Sequence, residues 1–260
     1  MGLNSATEIT WTRDTVGVGI YHGTLGTHIG IVFHNGQSTQ IVHLAWHLKL
    51  CEESFPKPNW LAAVIDLPAT VTPQVVSLLR KLCKRYPITQ DRPDGVTYGL
   101  NLVAGRGAFR ATGAYKPGKD CDGFTCASFV AEVFRHFGLE LVRLDTMLGS
   151  PRNHAWAEAI ICMLTAYKAT PEHIDKVRRS VNGTRLRPED VCAAIEVPAA
   201  YRPVDQEAIM VRADEIHQEV IDRCGPPPPI NHLFIHCKTD YEAALARISQ
   251  DEASSAAPPM

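Results

Sequence analysis

The sequence lacks any long uninterrupted run of hydrophobic residues. Its most apolar helix-like stretch, residues 155–167, contains Glu158 and falls short of the roughly 20 apolar residues that a membrane-spanning helix needs. The first residues also lack the basic and then apolar pattern of a secretory signal. We therefore expect a protein without a membrane span, located in the cytoplasm or exported without a cleavable signal peptide.

An excess of charge of one sign is absent as well. The chain has 26 basic and 28 acidic residues, a net charge of −2, and no segment that concentrates Lys and Arg. Such a balance predicts no nucleic-acid partner. The 8 cysteines include no Cys-x-x-Cys pair and no regular framework. That spacing predicts reduced thiols. We also expect neither a metal site nor a cofactor.

Helix and strand patterns are mixed along the 260 residues, of which 45% are hydrophobic and 21% charged, a composition typical of a globular protein. Apolar runs predict extended segments over 16–21, 29–33, 40–44, 60–67, 139–144 and 230–237. Periodic runs predict helices over 72–83, 125–137, 155–167, 171–180, 188–196, 205–223 and 241–248. The glycine-rich span 95–118 is predicted to be a long loop.

This order of elements has no regular strand–helix–strand alternation, so the predicted fold class is α+β. We predict one domain over 1–150. A mostly helical extension follows over 151–252 and contains the late strand near 230–237. Residues 253–260, rich in Ser, Ala and Pro, are predicted to be a disordered tail.

A hairpin is predicted around Asn35 and Gly36, because both residues accept the positive φ of a tight turn. If these two residues form the whole loop, His28 lies directly opposite His43. Paired side chains on neighbouring strands are about 4.5–5.5 Å apart, so one imidazole can orient the other. The two rings would then be a general base and its orienter, and the alternative is two solvated strand residues.

Cys126 begins an amphipathic helix whose apolar stripe comprises Phe129, Val130, Val133, Phe134 and Phe137. The free N–H groups and the positive dipole end of a helix start favour a thiolate, the reactive form of cysteine. A small buried core residue is the alternative interpretation of Cys126.

These motifs resemble a known family. The His28-x-Gly-Ile strand, the turn and His43 are similar to those of circularly permuted papain-like hydrolases, including the lecithin retinol acyltransferase-like branch. The segment from Cys126 to Gly138 resembles the nucleophile helix of NlpC-type peptidases and their permuted relatives. The resemblance covers residues 16–143. It implies a permuted papain-like fold, with an antiparallel sheet packed on the nucleophile-bearing helix.

Cys121 is the alternative nucleophile, since Asp-Cys121-Asp-Gly-Phe resembles the signature of the unpermuted peptidases. Gly138, however, lies 12 residues after Cys126, the interval that the resemblance implies, and 17 after Cys121. Cys126 is therefore favoured. The His28–His43 interval is slightly longer than in the acyltransferase-like branch, so a glutamine, asparagine or acidic residue is the alternative to His43 as orienter.

The implied reaction is attack of Cys126 on a carbonyl carbon, with His28 as general base and then acid, through a covalent acyl-enzyme. The backbone N–H of Cys126 would contribute to an oxyanion hole, and Tyr98 or Tyr21 could add a hydroxyl. Either tyrosine could equally be a core residue.

The first functional hypothesis is a cysteine peptidase or amidase acting on a peptide or a peptidoglycan fragment. The choice of an amide rests on the resemblance alone. A thioesterase or lipid acyltransferase using the same site is the second hypothesis, and a catalytically inactive binding module is the third. The extension over 151–252 could dock a protein partner or an inhibitor. A bacterial effector delivered into a rival or host cell and a housekeeping enzyme are both compatible with the sequence.

Overall fold

The structure is a computed structural model that describes residues 2–87, 93–100, 108–116, 118, 121–181, 183–227 and 234–255. Its strands form one sheet in the order β1-β6-β2-β3-β4-β5, with antiparallel neighbours. The strands are β1 (Asn4–Ser5), β2 (Val16–Gly23), β3 (Gly26–His34), β4 (Thr39–Trp46), β5 (Lys49–Ser54) and β6 (Leu61–Val64).

The helices follow the sheet in the chain. They are α1 (Thr72–Arg85), α2 (Cys126–Arg135), α3 (Pro151–Ala166), α4 (Pro171–Arg179), α5 (Pro188–Glu196), α6 (Gln206–Cys224) and α7 (Ile235–Ser255). An antiparallel sheet in the N-terminal part with mostly C-terminal helices confirms the predicted α+β class. Helix α2 packs on β3 and β4, α5 contacts β3 and β6, and α6 contacts β2 and β6.

The sheet is buried on both faces. Alternate side chains of β3, Ile29, Ile31 and Phe33, belong to the large core that α2 enters. On the opposite face Val32 packs in a smaller cluster with Ile41, Phe55, Trp60, Ala6 and Ala62. Gly30 of β3 therefore lies on the face of this smaller cluster, where its missing side chain leaves room for Ile41 and His43.

The β3–β4 hairpin forms, but its predicted register is wrong. Ile31 pairs with Val42 and His34 with Thr39, so the loop spans residues 35–38 instead of two residues. The side-chain oxygen of Asn35 accepts hydrogen bonds from the backbone N–H groups of Gln37 and Ser38, at 2.9 and 3.0 Å. This side-chain turn closes the longer loop. Since the register moves by two residues, every side chain keeps its predicted face.

Strands at the two ends of the sheet were not predicted. β1 pairs with β6, and β5 pairs with β4, where His43 lies opposite Cys51. The segment predicted to be extended over 139–144 makes only an isolated bridge, between Val142 and Val204, before a short 3-10 turn. Within 95–118, residues 101–107 and 117 lie outside the described part of the chain.

The predicted strand near 230–237 is wrong over its described residues. Helix α7 begins at Ile235 and continues to Ser255, so the helix predicted over 241–248 is only its middle. Residues 253–255 of the predicted disordered tail are helical, and 228–233 and 256–260 lie outside the described residues. Packing against α3 explains the difference, because a long helix can cover a partner helix that the local sequence pattern does not reveal.

The prediction that all thiols are reduced is also wrong. Cys162 of α3 and Cys237 of α7 form a disulfide, with their Cα atoms 5.9 Å apart and the two residues 75 positions apart in sequence. The other described cysteines are free, and most of them are buried. A pairing over so long a separation leaves no mark in cysteine spacing.

Within the described ranges, no helix has the length and apolar character needed to cross a membrane.

Candidate active site

Cys126 is the first residue of α2, and the local sequence explains why the helix begins there. The Thr125 hydroxyl accepts a hydrogen bond from the Ser128 backbone N–H at 3.1 Å, and the Ser128 hydroxyl accepts one from the Thr125 N–H at 2.8 Å. This reciprocal pair caps two of the free first-turn N–H groups. Phe129, Val130, Val133 and Phe134 are buried and anchor the helix in the core.

The Cys126 thiol is buried, with 6% of the residue exposed. Burial raises the pKa of this thiol, and hydrogen bonds with the backbone of Ile29 and Ala127 only partly oppose the effect. The helix start therefore does not hold Cys126 as a thiolate, contrary to the sequence-based expectation. In the resting structure the sulfur is protonated at neutral pH.

His28 and His43 are brought together despite the change in register. They lie diagonally on one face of β3 and β4, and His28 Nε2 is 2.8 Å from His43 Nδ1. Gly30 makes this possible, because a Cβ at residue 30 would lie 2.8 Å from the Cβ of His43. The missing side chain lets the His43 ring lean across β3 toward His28.

Glu53 of β5 extends this pair, and sequence reasoning missed it. Its Oε2 lies 3.7 Å from His43 Nε2, and the Lys57 ammonium contacts the same carboxylate. The pKa of Glu53 is lowered to about 2, first by His43 and then by Lys57, although burial by itself raises it. The residue was missed because β5 was not predicted, although an acidic orienter had been left open as an alternative to His43.

The chain from Glu53 to His28 has one consistent arrangement of protons in which His28 is a base toward Cys126. The ionised carboxylate faces a His43 Nε2–H, His43 Nδ1 then accepts from His28 Nε2–H, and His28 Nδ1 keeps its lone pair. Burial, and then the proximity of His43, lowers the pKa of His28 well below its ordinary value. His28 is therefore neutral at pH 7.

Cys126 and His28 line one cavity of about 300 Å³, together with both tyrosines named from sequence, Tyr21 and Tyr98. Helix α2, which carries Cys126, packs on the face of β3 opposite to the face that carries His28. Apolar side chains form most of the remaining wall, chiefly Trp46, Trp156, Ile160, Met163 and Phe234. Among the hydrogen bonds of the described residues, none joins the Cys126 sulfur to the His28 ring.

Tyr21 lies directly opposite His28 on β2, and its ring is 5.4 Å from the imidazole. Tyr98 stacks on Trp46 with ring centres 4.7 Å apart. Burial raises the pKa of Tyr21 to about 12 and that of Tyr98 further. Both phenols therefore keep their protons at neutral pH and can donate hydrogen bonds in the cavity.

Cys121 lies elsewhere. Its sulfur is 3.7 Å from the carbonyl oxygen of Gly123, and burial raises the pKa of its thiol. It is not among the described residues that line the cavity with His28. The described residues also contain no group of three or more His, Cys, Asp or Glu side chains arranged to hold a metal ion.

No protein-family model, no curated protein and no solved structure matches this chain.

Proposed function

We propose that the protein is a cysteine-dependent amidase whose nucleophile is Cys126 and whose general base is His28. The observation that supports this proposal is the shared cavity of Cys126 and His28, in which His28 is hydrogen-bonded to His43 and the other ring nitrogen of His43 lies 3.7 Å from Glu53. A nucleophile, a base and groups that orient the base are the parts that nucleophilic catalysis requires. The resemblance to permuted papain-like hydrolases supports the choice of an amide.

In the first step His28 Nδ1 takes the thiol proton while the sulfur attacks the carbonyl carbon of the substrate. The resulting oxyanion accepts a hydrogen bond from the backbone N–H of Cys126, one of the first-turn N–H groups without an intrahelical acceptor, and from a phenol of Tyr21 or Tyr98. When the carbon–nitrogen bond breaks, the imidazolium of His28 returns its proton to the leaving amine. The product on the enzyme is a thioester.

In the second step His28 takes a proton from water, whose oxygen attacks the thioester carbon. Collapse of this intermediate breaks the carbon–sulfur bond, releases a carboxylic acid and restores the thiol with the proton from His28. Throughout both steps, ionised Glu53 stabilises the positive charge that passes onto the two imidazoles.

A thioesterase or acyltransferase on the same site is the second candidate. Its supporting observation is the apolar wall of the cavity, where Ile160, Met163 and Phe234 would accommodate an aliphatic acyl chain. The chemistry differs only in the leaving group, a thiol or alcohol in place of an amine, and in the acceptor of the acyl group.

To test this, turnover of a panel of chromogenic peptide amides and short-chain thioesters is measured for the wild type, for Cys126→Ser and for the matched variant Cys121→Ser. We expect turnover in the wild type and in Cys121→Ser, loss of turnover in Cys126→Ser, and an acyl adduct that peptide mass spectrometry maps to Cys126. Faster turnover of thioesters than of amides would favour the second candidate. No turnover of any substrate would contradict both candidates and favour a binding module. Turnover with an acyl adduct on Cys121 would contradict the assignment of Cys126 and make Cys121 the nucleophile.

A further inference from the structure

A second cavity, of about 560 Å³ and lined by more charged side chains, borders the cavity around Cys126. Leu25, Thr27 and Arg185 line both cavities and so lie at the boundary between them. Thr27 immediately precedes His28, and its buried hydroxyl has no hydrogen-bond partner among the described residues. A substrate that reached from the thiol into the second cavity would pass Thr27 and Arg185.

Arg185 differs from the other arginines of the second cavity. Arg187 pairs with Asp190 and Asp214 at 2.9 and 2.7 Å, and Arg152 pairs with Glu252 at 2.6 Å. Within the described residues, no carboxylate lies at ion-pair distance from the Arg185 guanidinium, which packs over the Trp156 ring at 3.8 Å. The Trp156 ring holds the guanidinium in place, and no described residue accepts a hydrogen bond from its N–H groups.

Glu189 is the acidic residue of this cavity that acts on Arg185 through space. Glu189 Oε1 forms a hydrogen bond with His217 Nδ1 at 2.6 Å. Among the described side chains, no hydrogen bond joins Glu189 to Arg185. The positive charge of Arg185 is thus only partly balanced. A half-buried guanidinium with free N–H groups is a good partner for a carboxylate, which it can bind through two parallel hydrogen bonds.

We propose that the substrate is an N-acyl amino acid or a short peptide with a free carboxylate, and that Arg185 binds this carboxylate. The acyl side occupies the apolar cavity against Trp156 and Met163, and the carbonyl carbon lies at Cys126. The amine side extends toward the second cavity, and its carboxylate is bound by Arg185 at the boundary between the two cavities. This inference rests on the proposed amidase only for the position of the cleaved bond.

The test measures binding, so that it does not depend on turnover. Cys126→Ala, alone and combined with Arg185→Gln, is titrated calorimetrically with benzoyl-, hexanoyl- and decanoylglycine and with the C-terminal amide of each. We expect Cys126→Ala to bind at least one acid about 10- to 100-fold more tightly than its amide, the range of a charge-assisted hydrogen-bonded pair. Arg185→Gln should abolish that preference, and Arg185→Lys should retain part of it.

Arg152→Gln is the matched control, because it removes the same charge from the same cavity but from an arginine that already has a carboxylate partner. It should leave the preference for acids unchanged, and thermal unfolding checks that each variant folds. Equal binding of acids and amides, no binding of any probe, or a preference that survives Arg185→Gln would overturn the assignment of Arg185. Hydrolysis of the same probes by the wild type reports separately on the proposed amidase.

Discussion

At the scale of single residues, burial decides the charge states of the candidate nucleophile and base. The pKa of Cys126 is raised and that of His28 is lowered, in both cases chiefly by burial. The resting pair is therefore a neutral thiol and a neutral imidazole, not a thiolate–imidazolium ion pair. In such a site the proton moves only when the substrate carbonyl is in place, so the role proposed for His28 is that of a general base.

This charge state predicts how Cys126 reacts with iodoacetamide. A thiol whose pKa lies above its ordinary value forms thiolate only in alkaline solution. We expect the rate of alkylation of Cys126 to keep rising between about pH 6 and 10, without levelling off near neutrality. Peptide mass spectrometry separates this cysteine from the other free ones. A plateau reached by about pH 7 would instead reveal a preformed ion pair.

A second prediction concerns Glu53, a positioning residue that acts through His43. Glu53→Gln removes the charge that stabilises the imidazolium, so kcat/KM should fall about 10- to 100-fold. The negative charge of Glu53 raises the pKa of His28, so its removal lowers that pKa further. The acidic limb of the pH–rate profile should accordingly move to lower pH.

The matched control is Glu52→Gln, the neighbouring glutamate, which is exposed and points to the other face of β5. It should leave both the rate and the pH profile unchanged. A fall in rate for Glu53→Gln without any shift of the acidic limb would show that Glu53 serves only to support the fold.

At the scale of elements, strands β3, β4 and β5 place His28, His43 and Glu53 on one face of the sheet. Each of these residues lies two positions away from direct pairing with the next. His43 pairs across to Cys51, and Glu53 lies two residues further along β5 on the same face. Diagonal neighbours across strands lie within reach of long or aromatic side chains. Because Gly30 has no side chain, the His43 ring has room to reach His28 diagonally across the two strands.

Gly30→Ala tests that role. The added methyl group would meet the His43 Cβ at 2.8 Å and the Val42 carbonyl oxygen at 2.9 Å, so the strands or the His43 ring must shift. We expect a loss of about 1–3 kcal/mol in the free energy of unfolding by urea, together with reduced turnover. Gly2→Ala is the control, since its nearest neighbour is 4.0 Å away. Unchanged stability and turnover in Gly30→Ala would contradict the close packing of His43.

At the scale of the whole molecule, residues far apart in the chain enclose the cavity. The strands supply His28 and Trp46, α3 supplies Trp156, Ile160 and Met163, and Phe234 comes directly before α7. The Cys162–Cys237 disulfide ties α3 to α7 beside these residues. The C-terminal helices thus form part of the candidate site, whether or not they also dock a partner.

The disulfide should contribute to global stability. Breaking a cross-link between residues 75 positions apart releases chain entropy in the unfolded state, so Cys162→Ser with Cys237→Ser should lose about 2–4 kcal/mol in urea unfolding. The wild type treated with a reductant should match the double variant, and the double variant itself should not respond to the reductant. A wild type whose stability is the same with and without reductant would contradict the pairing.

Local sequence patterns were sufficient for much of the fold. Apolar periodicity predicted β2, β3, β4 and helices α1 to α6 close to their observed bounds, because side-chain repeats of two or of three to four residues follow directly from backbone geometry. The same repeat explains why His28 and His43 share a face even though the hairpin register was two residues off. It also placed Cys126 at a helix start.

Contacts between distant segments required the tertiary structure. Four features depend on such contacts: the position of Glu53 beside His43, the Cys162–Cys237 bond, the helix around Ile235, and the stacking of the Arg185 guanidinium on Trp156. The protonation of the Cys126 thiol also depends on the tertiary structure. Desolvation by the surrounding side chains raises its pKa and outweighs the local effect of the helix start. Residue spacing encodes which face a side chain takes, whereas its neighbours across the fold decide its charge and its partner.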